Sequence, residues 1–199
     1  MVTAAGLAPL AALGARAAFG DALGWDLGAN PIEEVSHETG IWALRFLVAT
    51  LAVTPLRRFT GWSALAPQRR TLGLLAFGWA TLHLLTYAVL DVGLDPETLR
   101  EDLRERTYIA LGFATWCGLV PLALTSTRAA TRRLGARWVT LHRLAYLCAA
   151  GGVAHYFWLV KQDVGPPLAY GAVVAALLAL RLAPRGRRGA PAARSAPGA

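Results

Sequence analysis

Acidic and basic residues are kept apart along this chain. All twelve Asp and Glu residues fall in three short polar stretches, and fourteen of the twenty Lys and Arg residues fall in other stretches that contain no acid. Long apolar runs separate the two kinds. A soluble domain of this length mixes its charges over its surface, at roughly 25% of residues. Here only 16% are charged and 55% are hydrophobic. That pattern belongs to a chain that threads a bilayer repeatedly. Its basic excess therefore reads as membrane topology, and nucleic-acid binding is set aside.

A helix needs about 20 mostly apolar residues to cross the hydrocarbon core. Six stretches approach this: 2–20 (with Pro9 and Arg16), 40–56 (with Arg45), 71–90 (with His83), 108–125, 139–160 (with His142 and His155) and 167–183. The predicted fold is an all-α membrane protein, a six-transmembrane-helix bundle over 1–184, followed by a disordered basic tail over 185–199. The acids lie before the second stretch, between the third and fourth, and between the fifth and sixth. Arg57, Arg58, Arg69, Arg70, Arg128, Arg132, Arg133, Arg137, Arg143 and Arg181 lie on the opposite side, with the basic tail. Positive loops stay cytoplasmic, so both termini are expected there. In a bacterium the acidic loops face the periplasm. The first run has no basic residue ahead of it, so it reads as a span rather than a cleaved signal. Cys117 and Cys148 form no CxxC pair and are expected as buried free thiols.

Ionisable side chains inside a bilayer are costly and mark functional sites by default. His83 lies 13 residues beyond Arg70, and His155 lies 13 beyond His142. At 1.5 Å per residue, both are about 20 Å from the cytoplasmic side. His83 and His155 should share one level in the periplasmic half, with His142 near the cytoplasmic surface. Two imidazoles at one depth on different helices can hold a metal or fill both axial positions of a heme iron. A histidine bonded only to a neighbouring helix is the competing reading. A zinc site is less attractive, because no Cys, Asp or Glu is available at that level. Thirteen residues also leave His142 and His155 roughly 140° apart on an ideal helix, so both contact cofactors in one bundle only if the helix bulges, tilts or faces different neighbours, a π-bulge being one device. His37, in an acidic stretch, reads as a solvated loop histidine and not as a ligand.

Arg45 within the second stretch must find a propionate, a carbonyl or a polar cavity, or snorkel to the interface. Trp79, Trp116 and Trp158 are read as packing or interfacial residues. Arg69, Arg70, Arg137 and Arg143 are candidates to hold a cytoplasmic-side cofactor, and Arg104 or Arg106 a periplasmic-side one. A purely topogenic role competes for each. The acidic loops offer a docking surface to a basic partner, or are simply solvated.

Five segments carry a resemblance: NPIEEVSHETGIWALRFLVATLAVTPLRR (30–58), RRTLGLLAFGWATLHLLTY (69–87), RTYIALGFATW (106–116), LALTSTRAATRRLGARWVTLHRLAYL (122–147) and HYFWLVK (155–161). Together they resemble the MsrQ family, formerly YedZ, within the wider group of ferric-reductase-like membrane domains. The resemblance covers about residues 28 to 184. It implies a six-helix heme b electron carrier of the bacterial inner (cytoplasmic) membrane. It draws electrons from the quinone pool or a cytoplasmic flavin reductase. It delivers them to a separate periplasmic molybdopterin methionine-sulfoxide reductase, in the repair of oxidised proteins. By the same resemblance His83, His155 and His142 are the metal-binding histidines, with Arg69 and Arg70 as further cofactor-binding candidates. Where oxidases of the wider group carry a second third-helix histidine, this chain has Arg69. One heme on His83 and His155 is therefore implied. His142 is left to hold a second through one protein ligand, or to order the cytoplasmic end. FMN is implied by the family alone. The chain itself is then an electron-transfer subunit, with the substrate-reducing site on another polypeptide. A stand-alone transmembrane ferric or quinone reductase of the same fold is the alternative, and a colourless transporter or scaffold is the third reading.

Overall fold

The computed structural model describes residues 2–23, 29–160 and 163–182, and all regular structure among them is helical. The expected basic tail lies outside the described residues, as do Asp26 and Lys161. The chain forms α1 (Val2–Leu23), α2 (Pro31–Thr60), α3 (Gln68–Leu85), α4 (Pro96–Glu105), α5 (Thr107–Leu124), α6 (Arg128–Leu134), α7 (Ala136–His142), α8 (Leu144–Leu159) and α9 (Gly165–Leu182). A 3-10 turn at Ser63–Leu65 leads into α3, and a π turn at Thr86–Asp91 continues it.

Three of these segments are long and apolar enough to cross a membrane: Pro31–Thr60, Ser63–Asp91 and Thr107–Leu124. Val2–Arg16 and Gly165–Arg181 are shorter apolar helices. Leu74, Leu85, Phe113, Leu124, Leu147 and Trp158 are exposed on the isolated chain. Such a broad apolar exterior suits lipid rather than water.

The second stretch is longer than its apolar run suggested. α2 spans 30 residues, about 45 Å at the ideal rise. The Asn30 side chain caps it by accepting from the Glu33 N–H, and Pro31 occupies the first turn, where a missing donor costs nothing. Glu33 and Glu34 sit at its N-terminus and Arg57 and Arg58 at its C-terminus, both favourable to the helix dipole. Gly61, at φ 72°, takes the left-handed conformation that ends it. The acidic stretch before the second span is thus helical for most of its length. His37 lies within α2, not in a loop, which corrects the sequence expectation.

α2 and α3 form the most extensive helix pair, followed by α5 with α8. α9 joins both α2 and α8. The core lies where they meet, around Leu47, Leu51, Ala76, Leu119, Cys148 and Ala149. α1 attaches through the buried Trp79 indole, which donates to the Gly6 carbonyl at 3.1 Å. Cys148 is buried as expected, but Cys117 is exposed on the outer face of α5. Between His142 and His155 the helix is interrupted at Arg143, where α7 meets α8. The π turn follows α3 instead, in the third stretch.

Candidate functional site

His83 near the end of α3 and His155 near the end of α8 face one another. Their ring centroids are 6.0 Å apart and the rings are inclined by 71°. Each ring is anchored through Nδ1 to a backbone carbonyl of a third element. His83 Nδ1 donates to the Ser36 carbonyl of α2 at 2.9 Å, and His155 Nδ1 donates to the Tyr108 carbonyl of α5 at 2.7 Å. A carbonyl accepts only, so it fixes the proton on Nδ1 and leaves the Nε2 lone pair free in both rings. That is the tautomer and orientation a metal-ligating histidine needs.

The two anchors share one local design. Gly40 follows Ser36 by four residues, and Gly112 follows Tyr108 by four. The imidazole lies over the glycine while bonding the carbonyl one turn earlier. A Cβ at Gly40 would stand 3.1 Å from His83 Cε1, and one at Gly112 would stand 2.8 Å from His155 Cε1. Neither glycine was singled out from the sequence, because the contact that requires it is between helices.

A cavity opens between the two histidines, walled by α2, α3, α5 and α8. Its depth is apolar, with Leu44, Leu47, Ala80, Phe113 and Leu119 among the lining residues. Polar side chains reach it from the other end: His37, Tyr87, Asp91, Arg106, Tyr108 and Tyr156. α4 closes over that end, contributing Leu99 and Leu103. From sequence alone α4 reads as loop, because the segment is short and mostly charged. Its buried Asp102 accepts from the Tyr87 hydroxyl at 2.6 Å and pairs with Arg106 Nε at 3.0 Å. The same carboxylate holds the Arg106 guanidinium charged above its ordinary range.

The other candidates fall elsewhere. His142 ends α7, stacked on Trp138 at 3.8 Å between centroids, with Nδ1 on the Trp138 carbonyl at 3.1 Å. Its Nε2 is buried and has no partner among the described residues. Arg69 sits against Tyr146 and Arg181, and within electrostatic reach of His142. Neither Arg69, Arg70 nor His142 lines the His83–His155 cavity. Arg104 is exposed and also off it, whereas Arg106 lines it. Arg45 does not line the cavity, and among the described residues it bonds no carbonyl. Its Nε donates to the Tyr170 hydroxyl at 3.3 Å, and its guanidinium lies 4.6 Å from the Trp42 ring centre. Trp116 donates to Thr81 at 3.0 Å beside the cavity, and Trp158 is exposed.

The donor set fits a heme better than a bare metal ion. Among the described residues no group of three or more His, Cys, Asp or Glu gathers to hold an ion. Two imidazoles suffice for an iron whose other four ligands are porphyrin nitrogens. Metal–nitrogen bonds of about 2 Å on either side of one iron place two ring centres roughly 6 Å apart. The observed separation is 6.0 Å.

The family described as ferric reductase like transmembrane component matches residues 39–153. The chain is similar to a protein from Xanthomonas oryzae pv. oryzae (strain MAFF 311018), 46% identical over 91% of this chain and 84% of that one. It is similar to another from Rhodospirillum rubrum, 48% identical over 92% of this chain and 86% of the relative. A third, from Xanthomonas axonopodis pv. citri, is 45% identical over 92% and 84%. All three bear the name protein-methionine-sulfoxide reductase heme-binding subunit MsrQ. No solved structure matches. The family match spans more than half the chain, ending two residues before His155, and the relatives cover almost all of it; on these grounds the chain belongs to the MsrQ family of ferric-reductase-like membrane proteins.

Proposed function

We propose that this protein is the heme b electron-transfer subunit of a periplasmic protein-methionine-sulfoxide reductase, with His83 and His155 as the two axial ligands. The observation that carries this is the facing pair itself: two imidazoles 6.0 Å apart between centroids, each with Nδ1 committed to a carbonyl and Nε2 free. When bound, a heme there supplies one-electron chemistry. The chain supplies both ligands, holds their tautomer through Ser36 and Tyr108, and surrounds the ring with apolar side chains that exclude water.

The charge segregation supports six spans in the bacterial inner membrane with both termini cytoplasmic, α7 and α8 together making the fifth. The His83–His155 level then lies nearer the periplasm, where a separate molybdopterin subunit would take electrons. His142, Arg69 and Arg70 lie at the opposite level, where the quinone pool or a cytoplasmic flavin reductase would deliver them. The buried, unpartnered Nε2 of His142 supports a role there, either holding a second heme through one protein ligand or ordering the cytoplasmic end. FMN follows from the family resemblance alone and is assigned to no residue.

The test is a dithionite-reduced minus oxidised absorption spectrum of the purified protein, repeated with His83→Ala and His155→Ala. The native protein should show b-type bands, and each variant should lose the signal of the periplasmic-side heme. A native protein without such bands ends the heme reading. Bands unchanged in both variants would remove the ligand assignment.

A further inference from the structure

The cavity is two-sided in chemistry, and that asymmetry orients whatever fills it. Leu44, Leu47, Ala80 and Leu119 line its depth, with Thr115 and Trp116 bonded to helix partners there, while His37, Asp91 and Arg106 lie at the end that α4 covers. An iron porphyrin is built the same way, with an apolar ring and two carboxylates on one edge. Burying that edge among leucines would strand two charges, which is far costlier than burying the ring's apolar edge. The carboxylates therefore belong at the α4 end.

Among the described residues that line that end, the side chains that can carry positive charge are His37 of α2 and Arg106 at the start of α5. Asp91 is there too, and repels an anion. Arg106 gives its Nε to Asp102 at 3.0 Å and also engages the Tyr108 hydroxyl, which holds its guanidinium at the rim of the cavity. His37 packs edge-on to Tyr156 at 6.1 Å between ring centres, so it reaches the rim from the α8 side. Arg104, one turn from Arg100 on the exposed face of α4, does not reach the cavity. We infer that His37 and Arg106 hold the two porphyrin carboxylates, orienting the heme with its carboxylate edge beneath α4. This rests on the heme reading above and adds to it a direction for the ring and two residues that bind it. It also gives His37 a place that the sequence had denied it.

The experiment compares two porphyrins in the purified full-length protein stripped of heme: iron protoporphyrin as the free diacid and as its dimethyl ester. The ester keeps the ring and iron but has no carboxylate charge. The native chain should bind the diacid more tightly, on the order of tenfold, as expected for charge-assisted hydrogen bonds. Arg106→Gln and His37→Gln should each reduce that preference and the double variant should abolish it, while the low-spin two-imidazole spectrum persists. His37→Gln touches no part of the Arg106 contact with Asp102 of α4, so it reports on the rim even if Arg106→Gln loosens that helix. Arg104→Gln should keep the full preference. A native protein that binds both porphyrins equally, or a double variant that still discriminates fully, overturns the orientation while leaving the axial pair intact. A native protein that binds neither with a two-imidazole spectrum overturns the heme reading, and the orientation with it.

Discussion

Gly112 and His155 are packed so closely that a Cβ on the glycine would stand 2.8 Å from both Nδ1 and Cε1 of the ring. The ring cannot retreat freely, because its Nδ1 is tied to the Tyr108 carbonyl one turn earlier on the same helix. Alanine at 112 therefore has to break that bond or push α5 from α8. At Gly40 the corresponding approach to His83 is 3.1 Å, which a small shift relieves. Gly112→Ala should weaken heme binding by about tenfold, consistent with overpacking of about 1–3 kcal/mol, and Gly40→Ala by less. Heme titration of the two purified variants gives the order directly. Equal binding by Gly112→Ala and the native protein would show that the ring has slack.

This dependence on glycine marks where sequence reasoning stops. Counting residues from the basic ends put His83 and His155 at one level, and their rings do stand 6.0 Å apart. Helix rise is fixed by backbone geometry, so depth is legible without a structure. Which residue a ring lies over depends on helix packing, so Gly40 and Gly112 left no signal beyond being glycines in apolar helices. His37 is hidden from a sequence reading for a different reason. Glu33, Glu34 and Glu38 look like a solvated loop when judged by polarity, yet acids near a helix N-terminus are favourable. Asn30 followed by Pro31 was the available clue, as a cap followed by a first-turn proline. α4 is not legible because ten mostly charged residues carry little apolar periodicity, although Leu99 and Leu103 are one turn apart.

Arg181 shows a second interhelical dependence. Pro55 within α2 has no N–H, so the Leu51 carbonyl one turn earlier loses its helical donor. Arg181 of α9 supplies it, its guanidinium donating to that carbonyl at 2.6 Å and to the Tyr146 hydroxyl at 2.8 Å. Arg181→Ala should destabilise the protein by about 1.5–3 kcal/mol, the range for hydrogen bonds from a charged group. Pro55→Ala restores a backbone donor to Leu51, so the loss should be smaller in the double variant. Thermal unfolding in detergent of the two single variants and the pair closes the cycle. Strictly additive effects would mean that Arg181 acts elsewhere.

Tyr87 and Asp102 fasten α4 over the cavity. Removing the hydroxyl leaves the buried carboxylate with Arg106 as its remaining side-chain partner. Tyr87→Phe should therefore weaken α4 by about 1–3 kcal/mol. Because Leu99 and Leu103 line the cavity, the weakening should speed heme loss as well as amide exchange in residues 96–105. Hydrogen exchange by mass spectrometry reads the first effect and heme transfer to apomyoglobin the second. Faster exchange without faster heme loss would show that α4 does not control access to the cavity.

Asp95 gives the same helix a pH dependence. Its carboxylate caps α4, accepting from the Thr98 hydroxyl and backbone N–H and from the Glu97 N–H. The Thr98 side-chain bond is the largest of these influences, and together they hold Asp95 below the ordinary carboxylate range. A folded-state value below the unfolded one means the cap is at full strength above the unfolded value, about 3.9. It is lost as pH falls through the lower folded value. Amide exchange of the first turn of α4, corrected for intrinsic rates, should accelerate as pH drops below about 4. Asparagine also caps helices but does not titrate there, so in Asp95→Asn this part of the acceleration should vanish. An identical acid profile in the native protein and Asp95→Asn would assign the loosening of α4 to another group.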